Sequence, residues 1–91
     1  MILVDPPTWP GWDTVWSHLV SDTSLAELHA FADGVGLPRR LFDEDHYDVP
    51  RSRYAEVVAA GAHEVSGREL IVALRTSGLR VTAAQRRPHR R

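Results

Sequence analysis

Met1-Ile2-Leu3-Val4-Asp5-Pro6-Pro7 opens the chain, and how its apolar half is read decides the fold. Three apolar residues follow one another with no polar alternate. That pattern reads as a strand buried on both faces, as in a parallel sheet covered by helices. Asp5 closes the run, and Pro6-Pro7 stops it from continuing. Working outward, residues 6–16 hold three Pro, one Gly and all three Trp, at positions 9, 12 and 16. Prolines forbid regular structure through most of that loop. Ser17-His18-Leu19-Val20-Ser21 alternates weakly as a second strand.

Asp22-Thr23-Ser24 opens the first helix, with Ser24 and Glu27 at capping-box spacing and Leu25, Leu28, Ala32 and Val35 as its apolar stripe. Gly34 or Gly36 ends it. A segment around Arg40-Leu41-Phe42 reads as a third strand, followed by an acidic loop, Asp43-Glu44-Asp45-His46-Tyr47-Asp48. Pro50 suits the first turn of a second helix, with Asp48 near its N-cap and Gly61 as its stop. Ala62-His63-Glu64-Val65 is a short strand. Ser66-Gly67-Arg68-Glu69 is a second capping box and starts a third helix that ends at Gly78. The expectation is a small layered α/β domain over residues 1–79. It has a largely parallel sheet of three or four strands, about three helices, and a disordered Arg-rich C-terminal tail over 80–91.

Composition narrows the function classes. Ninety-one residues make one domain, and the lack of any Cys excludes disulfides and thiolate metal sites. The N-terminus has no basic lead and reaches an acid at position 5, unlike a signal peptide. No apolar run approaches the roughly 20 residues that span a bilayer, so a cytoplasmic protein with no membrane partner is expected. Net charge is −1 but uneven: residues 1–79 carry −6 and residues 80–91 carry +5, all of it from Arg. Such a tail predicts weak, salt-dependent, nonspecific nucleic-acid contact.

In an open parallel sheet, ligands gather beyond the carboxyl ends of the strands. That rule collects Asp5, Asp22, the 43–48 loop and Ser66-Gly67-Arg68 at one rim. Asp5, His46 and Asp48 are then candidate ligands for a divalent metal, Mn²⁺, Zn²⁺ or Mg²⁺. His18, Asp22 and His29 are candidate catalytic acids or bases. Trp9, Trp12 and Tyr47 are candidate ligand-binding groups, the indoles serving as a stacking wall. Each has a structural alternative: Asp5 opening a turn, Asp48 capping a helix, His18 and His29 as core histidines, the Trp trio covering the core edge.

The opening Met-Ile-Leu-Val-Asp-Pro-Pro, Trp16 through Asp22, Glu27-Leu28-His29-Ala30-Phe31-Ala32 and His46-Tyr47-Asp48-Val49 together resemble a small bacterial family, domain of unknown function 4031. The likeness covers roughly residues 1–78. It implies no activity, substrate or cofactor. It does imply that Asp5, His18, Asp22, Glu27, His29, His46, Tyr47 and Asp48 fall on motif positions. A strand running into an Asp is also similar to the start of PIN-type nucleases, over that one segment, and the further acids of those enzymes are not recognisable here. The leading expectation is a metal-dependent hydrolase or lyase acting on a phosphate-containing small molecule or nucleotide. The alternative is a non-catalytic module that binds a ligand or protein through the Trp-rich loop 6–16.

Overall fold

Alternation along the strands decides which helix covers which face. In the computed structural model, which describes residues 1–82 and 85, strand β1 (Ile2–Val4) sends Ile2 and Val4 one way and Leu3 the other. Ile2 and Val4 join Leu19, Tyr47 and Val49 against helices α1 (Leu25–Gly34) and α2 (Arg51–Ala59). Leu3 joins Val20 against Leu70 and Leu74 of helix α3 (Gly67–Ser77). A helix layer therefore lies on each side of β1. The continuous apolar run reports that double coverage, as expected.

Strand direction is another matter. The sheet is mixed and six-stranded, ordered β4-β5-β3-β1-β6 with β2 also on β3. The strands are β2 (Trp9–Gly11), β3 (Thr14–Ser21), β4 (Phe42–Asp43), β5 (His46–Pro50) and β6 (His63–Glu64). Only β1 and β6 pair parallel among the described residues, and the other four pairs are antiparallel. The largely parallel sheet of three or four strands is thus corrected. Apolar runs report burial on two faces and carry no information on polarity.

Two further corrections place the site. The loop 6–16 contains a hairpin: β2 pairs with the early half of β3, and Pro10 is tolerated because β2 is an edge strand that needs no N–H there. Trp12 and Asp13 form its two-residue turn with φ of 50° and 62°, the type I′ pattern. The acidic loop is mostly strand β5, on which Tyr47 and Val49 are buried while His46 and Asp48 face the other side. Glu44, with φ 63°, turns β4 into β5 and throws Asp45 into the interior, fully buried. Pro50 is the N-cap of α2 rather than its first residue, and Asp48 does not cap it.

The helix ends follow the sequence closely. Ser24 caps α1 by accepting from the Glu27 N–H, but the Glu27 carboxylate turns to the Met1 amine and Ser21 hydroxyl instead of completing the box. Ser66 and Glu69 complete theirs on α3, which Gly78 ends at φ 83°. Among the described residues no helix is long and apolar enough to cross a membrane. Of the segment expected as a tail, Arg80 and Val81 bond to Asp45. The rest of the tail, with its expected disorder and nucleic-acid contact, lies outside the described residues apart from Thr82 and Gln85.

Candidate metal centre

The α3 face of the sheet is only half covered. Helix α3 lies over Leu3 and Val20, and the uncovered half carries the polar and indole side chains. The strand registers set them in rows. Trp16 pairs with Trp9 on one side, and His18 pairs with Asp48 on the other. The Asp5 N–H donates to the His18 carbonyl, so Asp5, His18 and Asp48 cross the sheet side by side. His46 stands two residues before Asp48 on the same face of β5.

His18 is held by three bonds. Its backbone N–H donates to Asp5 Oδ1 at 2.6 Å, and its ring Nδ1 lies 2.9 Å from Asp5 Oδ2. Its Nε2 receives the Trp9 indole N–H at 2.6 Å. An indole can only donate, so Nε2 is unprotonated and Nδ1 carries the hydrogen that Asp5 accepts. Asp5, one residue past β1, is 8% exposed and holds His18 through both of its carboxylate oxygens.

His46 is held by carboxylates on both sides. Nδ1 is 2.7 Å from Asp45 Oδ1, and Nε2 is 3.0 Å from Asp48 Oδ1. Burial works against a charged ring, yet its bonds to Asp45 and Asp48 outweigh that and raise its pKa from 6.5 to about 9. At neutral pH it is an imidazolium donating to both acids. Burial also works against a charged Asp45, but hydrogen bonds from His46 and from the Val81 N–H (2.7 Å) hold its pKa below the usual carboxylate range. The Arg80 guanidinium adds a 3.3 Å contact to the same oxygen.

The two imidazoles meet edge to face, ring centres 5.1 Å apart. Ligand atoms of His18, His46 and Asp48 all lie within 4.8 Å of one another, close enough to share one cation. His18 and His46 border a cavity of about 360 Å³ with two kinds of wall. Asp5, His18, His46 and Arg80 form the polar side, and Leu70, Ile71 and Leu74 of α3 form the apolar side. On the other flank, Asp48 borders a cleft of about 200 Å³ lined by Trp9, Trp12, Trp16, Arg40 and Leu41.

Not every expected residue comes to this centre. Asp22 sits at the far end of β3, beside β1's start, where it accepts from the Met1 amine at 2.9 Å. Because β1 and β3 are antiparallel, Asp5 and Asp22 cannot share a rim, and the expected common edge is replaced by a common face. His29 and Tyr47 lie on the opposite side of the sheet, bonded to each other at 2.7 Å beside Phe42. Burial holds the His29 ring below its ordinary pKa and pushes the Tyr47 phenol up. Asp45 and Arg80 were invisible as site residues, one inside an acidic run and the other in a basic tail. The only hint of Asp45 is its place next to His46, just before a strand with period-two burial.

A family model described as "Protein of unknown function (DUF4031)" matches residues 2–77. No curated protein and no solved structure matches the chain.

Proposed function

This chain belongs to the DUF4031 family, and from that premise we propose that it is a metal-dependent hydrolase cleaving a phosphate ester of a small molecule. One observation carries the reading: two imidazoles, each with Nδ1 on a buried carboxylate, stand with a third acid at metal-sharing distances. A histidine whose far nitrogen is tied to a carboxylate is the usual form of a metal-binding imidazole, since that bond fixes the ring and raises its basicity. His18, His46 and Asp48 are the ligands in this reading, with Asp5 and Asp45 as orienting groups; a cation on His18 Nε2 would take the place of the Trp9 indole N–H that the nitrogen accepts in the metal-free chain. Asp5 thereby moves from the ligand set expected of it to the supporting set. Two imidazoles and one carboxylate favour Zn²⁺ or Mn²⁺ over Mg²⁺, which prefers oxygen.

A cation held by His18, His46 and Asp48 would supply two things, a bound water of lowered pKa and polarisation of a phosphoryl oxygen. Hydrolysis would join the water oxygen to phosphorus and break the bond from phosphorus to the ester oxygen, the proton given up by the water ending on that leaving oxygen. In this reading Arg80, which lines the cavity beside Asp45, holds a non-reacting phosphate oxygen. Metal binding also changes the charge of the site. Asp5, Asp45 and Asp48 against the His46 imidazolium and Arg80 leave one negative charge in excess, which repels phosphate. A divalent ion taking the place of the His46 proton removes that excess.

The test is calorimetric titration with Zn²⁺, Mn²⁺ and Mg²⁺, followed by assay of 4-nitrophenyl phosphate and its diester. One ion per chain is expected, with binding lost in His46→Gln and phosphate release dependent on the ion. Protein that stays metal-free after incubation with all three ions overturns the reading and leaves the non-catalytic binding module.

A further inference from the structure

We infer that the Trp9–Trp12–Trp16 cleft is the recognition subsite for a planar aromatic ring, so that the phosphate ester handled by the neighbouring centre is of the nucleotide class. This inference rests on the reading of the centre for the phosphate end alone; ring binding stands on the cleft.

Three features of the cleft carry it. The first is preorganisation. The Trp16 indole N–H donates to the Gly11 carbonyl at 2.8 Å and the Trp9 N–H donates to His18, so both rings are pinned in the metal-free chain, and Trp16 keeps its bond when a cation takes His18 Nε2. Their centres are 6.4 Å apart with planes tilted by 31°. Rings fixed in this way lose little freedom when a flat ligand stacks on them.

The second feature is Trp12. It is 91% exposed at a position with φ of 50°, in a turn type that favours Asn-Gly. A large indole in the left-handed region is unfavourable for folding, and its exposure gains nothing in the core. Outliers of this kind concentrate where a ligand is gripped. The third feature is continuity. Asp48 borders the cleft and belongs to the centre, and Trp9 bonds directly to His18. Trp16 and His18 are two residues apart on one face of β3, a step of roughly 7 Å. That step suits a base joined through a sugar to a phosphate. Arg40, also in the cleft, supplies a cation and a flat guanidinium for the same ligand.

The experiment follows tryptophan fluorescence excited at 295 nm during titration with adenosine, adenosine 5′-monophosphate and ribose 5-phosphate. Each is run in EDTA and again with Zn²⁺ or Mn²⁺. In EDTA, adenosine is expected to quench saturably and ribose 5-phosphate to leave the signal unchanged. Trp12→Gly relieves the turn, so it folds at least as well as the parent, and it should bind adenosine about tenfold more weakly. Its metal affinity should be unchanged. With metal, the monophosphate should bind more tightly than adenosine. If adenosine binds no better than ribose 5-phosphate, or equally well to Trp12→Gly, the inference is overturned. If adenosine binds while metal does not, the ring subsite stands and the hydrolytic reading of the centre fails.

Discussion

His46 makes the stability of the metal-free protein fall as the solution becomes alkaline. Its folded-state pKa is raised, from 6.5 to about 9. A raised histidine contributes its stability in full below the unfolded value and loses it as pH climbs through the folded one. The window is therefore pH 6.5 to about 9. At about 1.4 kcal/mol per pH unit, the difference amounts to about 3–4 kcal/mol. Domains of this size are stable by roughly 5–15 kcal/mol, so that loss is large. Urea unfolding in EDTA at pH 6 and at pH 9.5 reads it directly, as a midpoint lowered by roughly 1–3 M. The Met1 amine, raised by its bonds to Asp22 and Glu27, titrates in the same direction, but it is exposed and solvent screens it. His46→Gln separates the two, because only the small slope from the amine should remain. An unchanged slope in that variant, or a wild-type stability that is flat or rising from pH 6.5 to 9, refutes the imidazolium held between Asp45 and Asp48.

Asp5→Asn should cost about 2 kcal/mol by removing the charged acceptor of the His18 ring. The amide's N–H₂ also favours the opposite ring tautomer, which clashes with the Trp9 N–H. Zn²⁺ affinity measured by calorimetry is expected to drop by about 10- to 100-fold. Leu74→Ala empties a site of 1% exposure between α3 and the sheet, and should lower stability by about 2–5 kcal/mol in urea unfolding. Ser17 Oγ is buried with no hydrogen bond among the described residues, so Ser17→Ala should leave the melting temperature unchanged or raise it.

Those sites also show what the sequence made legible and where it stopped. Ile2-Leu3-Val4 announced coverage on two sides because burial acts on each side chain separately. Strand polarity depends on partners distant in the chain, and no local pattern encodes it. Ser24, Ser66 and Gly78 were readable as helix ends because capping is local chemistry. His46-Tyr47-Asp48-Val49 had the alternation of a strand, yet its acidic surroundings read as a loop. Asp5, His18, His46 and Asp48 do converge, but through antiparallel registers on one face and not through a shared strand rim. Asp45 is not legible in the sequence because a buried acid is marked only by what surrounds it in three dimensions. His29 and Tyr47 looked like site residues for the same reason in reverse: their polarity was visible and their place behind the sheet was not.

Asp45 has two clients. One oxygen grips the ring of His46 and the other grips the chain just after α3, at Val81 and Arg80. The chain leaving α3, the helix packed over Leu3 and Val20, is thus tied to the same carboxylate that steadies the centre. Whatever loosens the imidazole also slackens the strap beside the helix, and prying the helix away unsettles the imidazole. Occupancy of the open half of this face should therefore be felt as rigidity in the closed half.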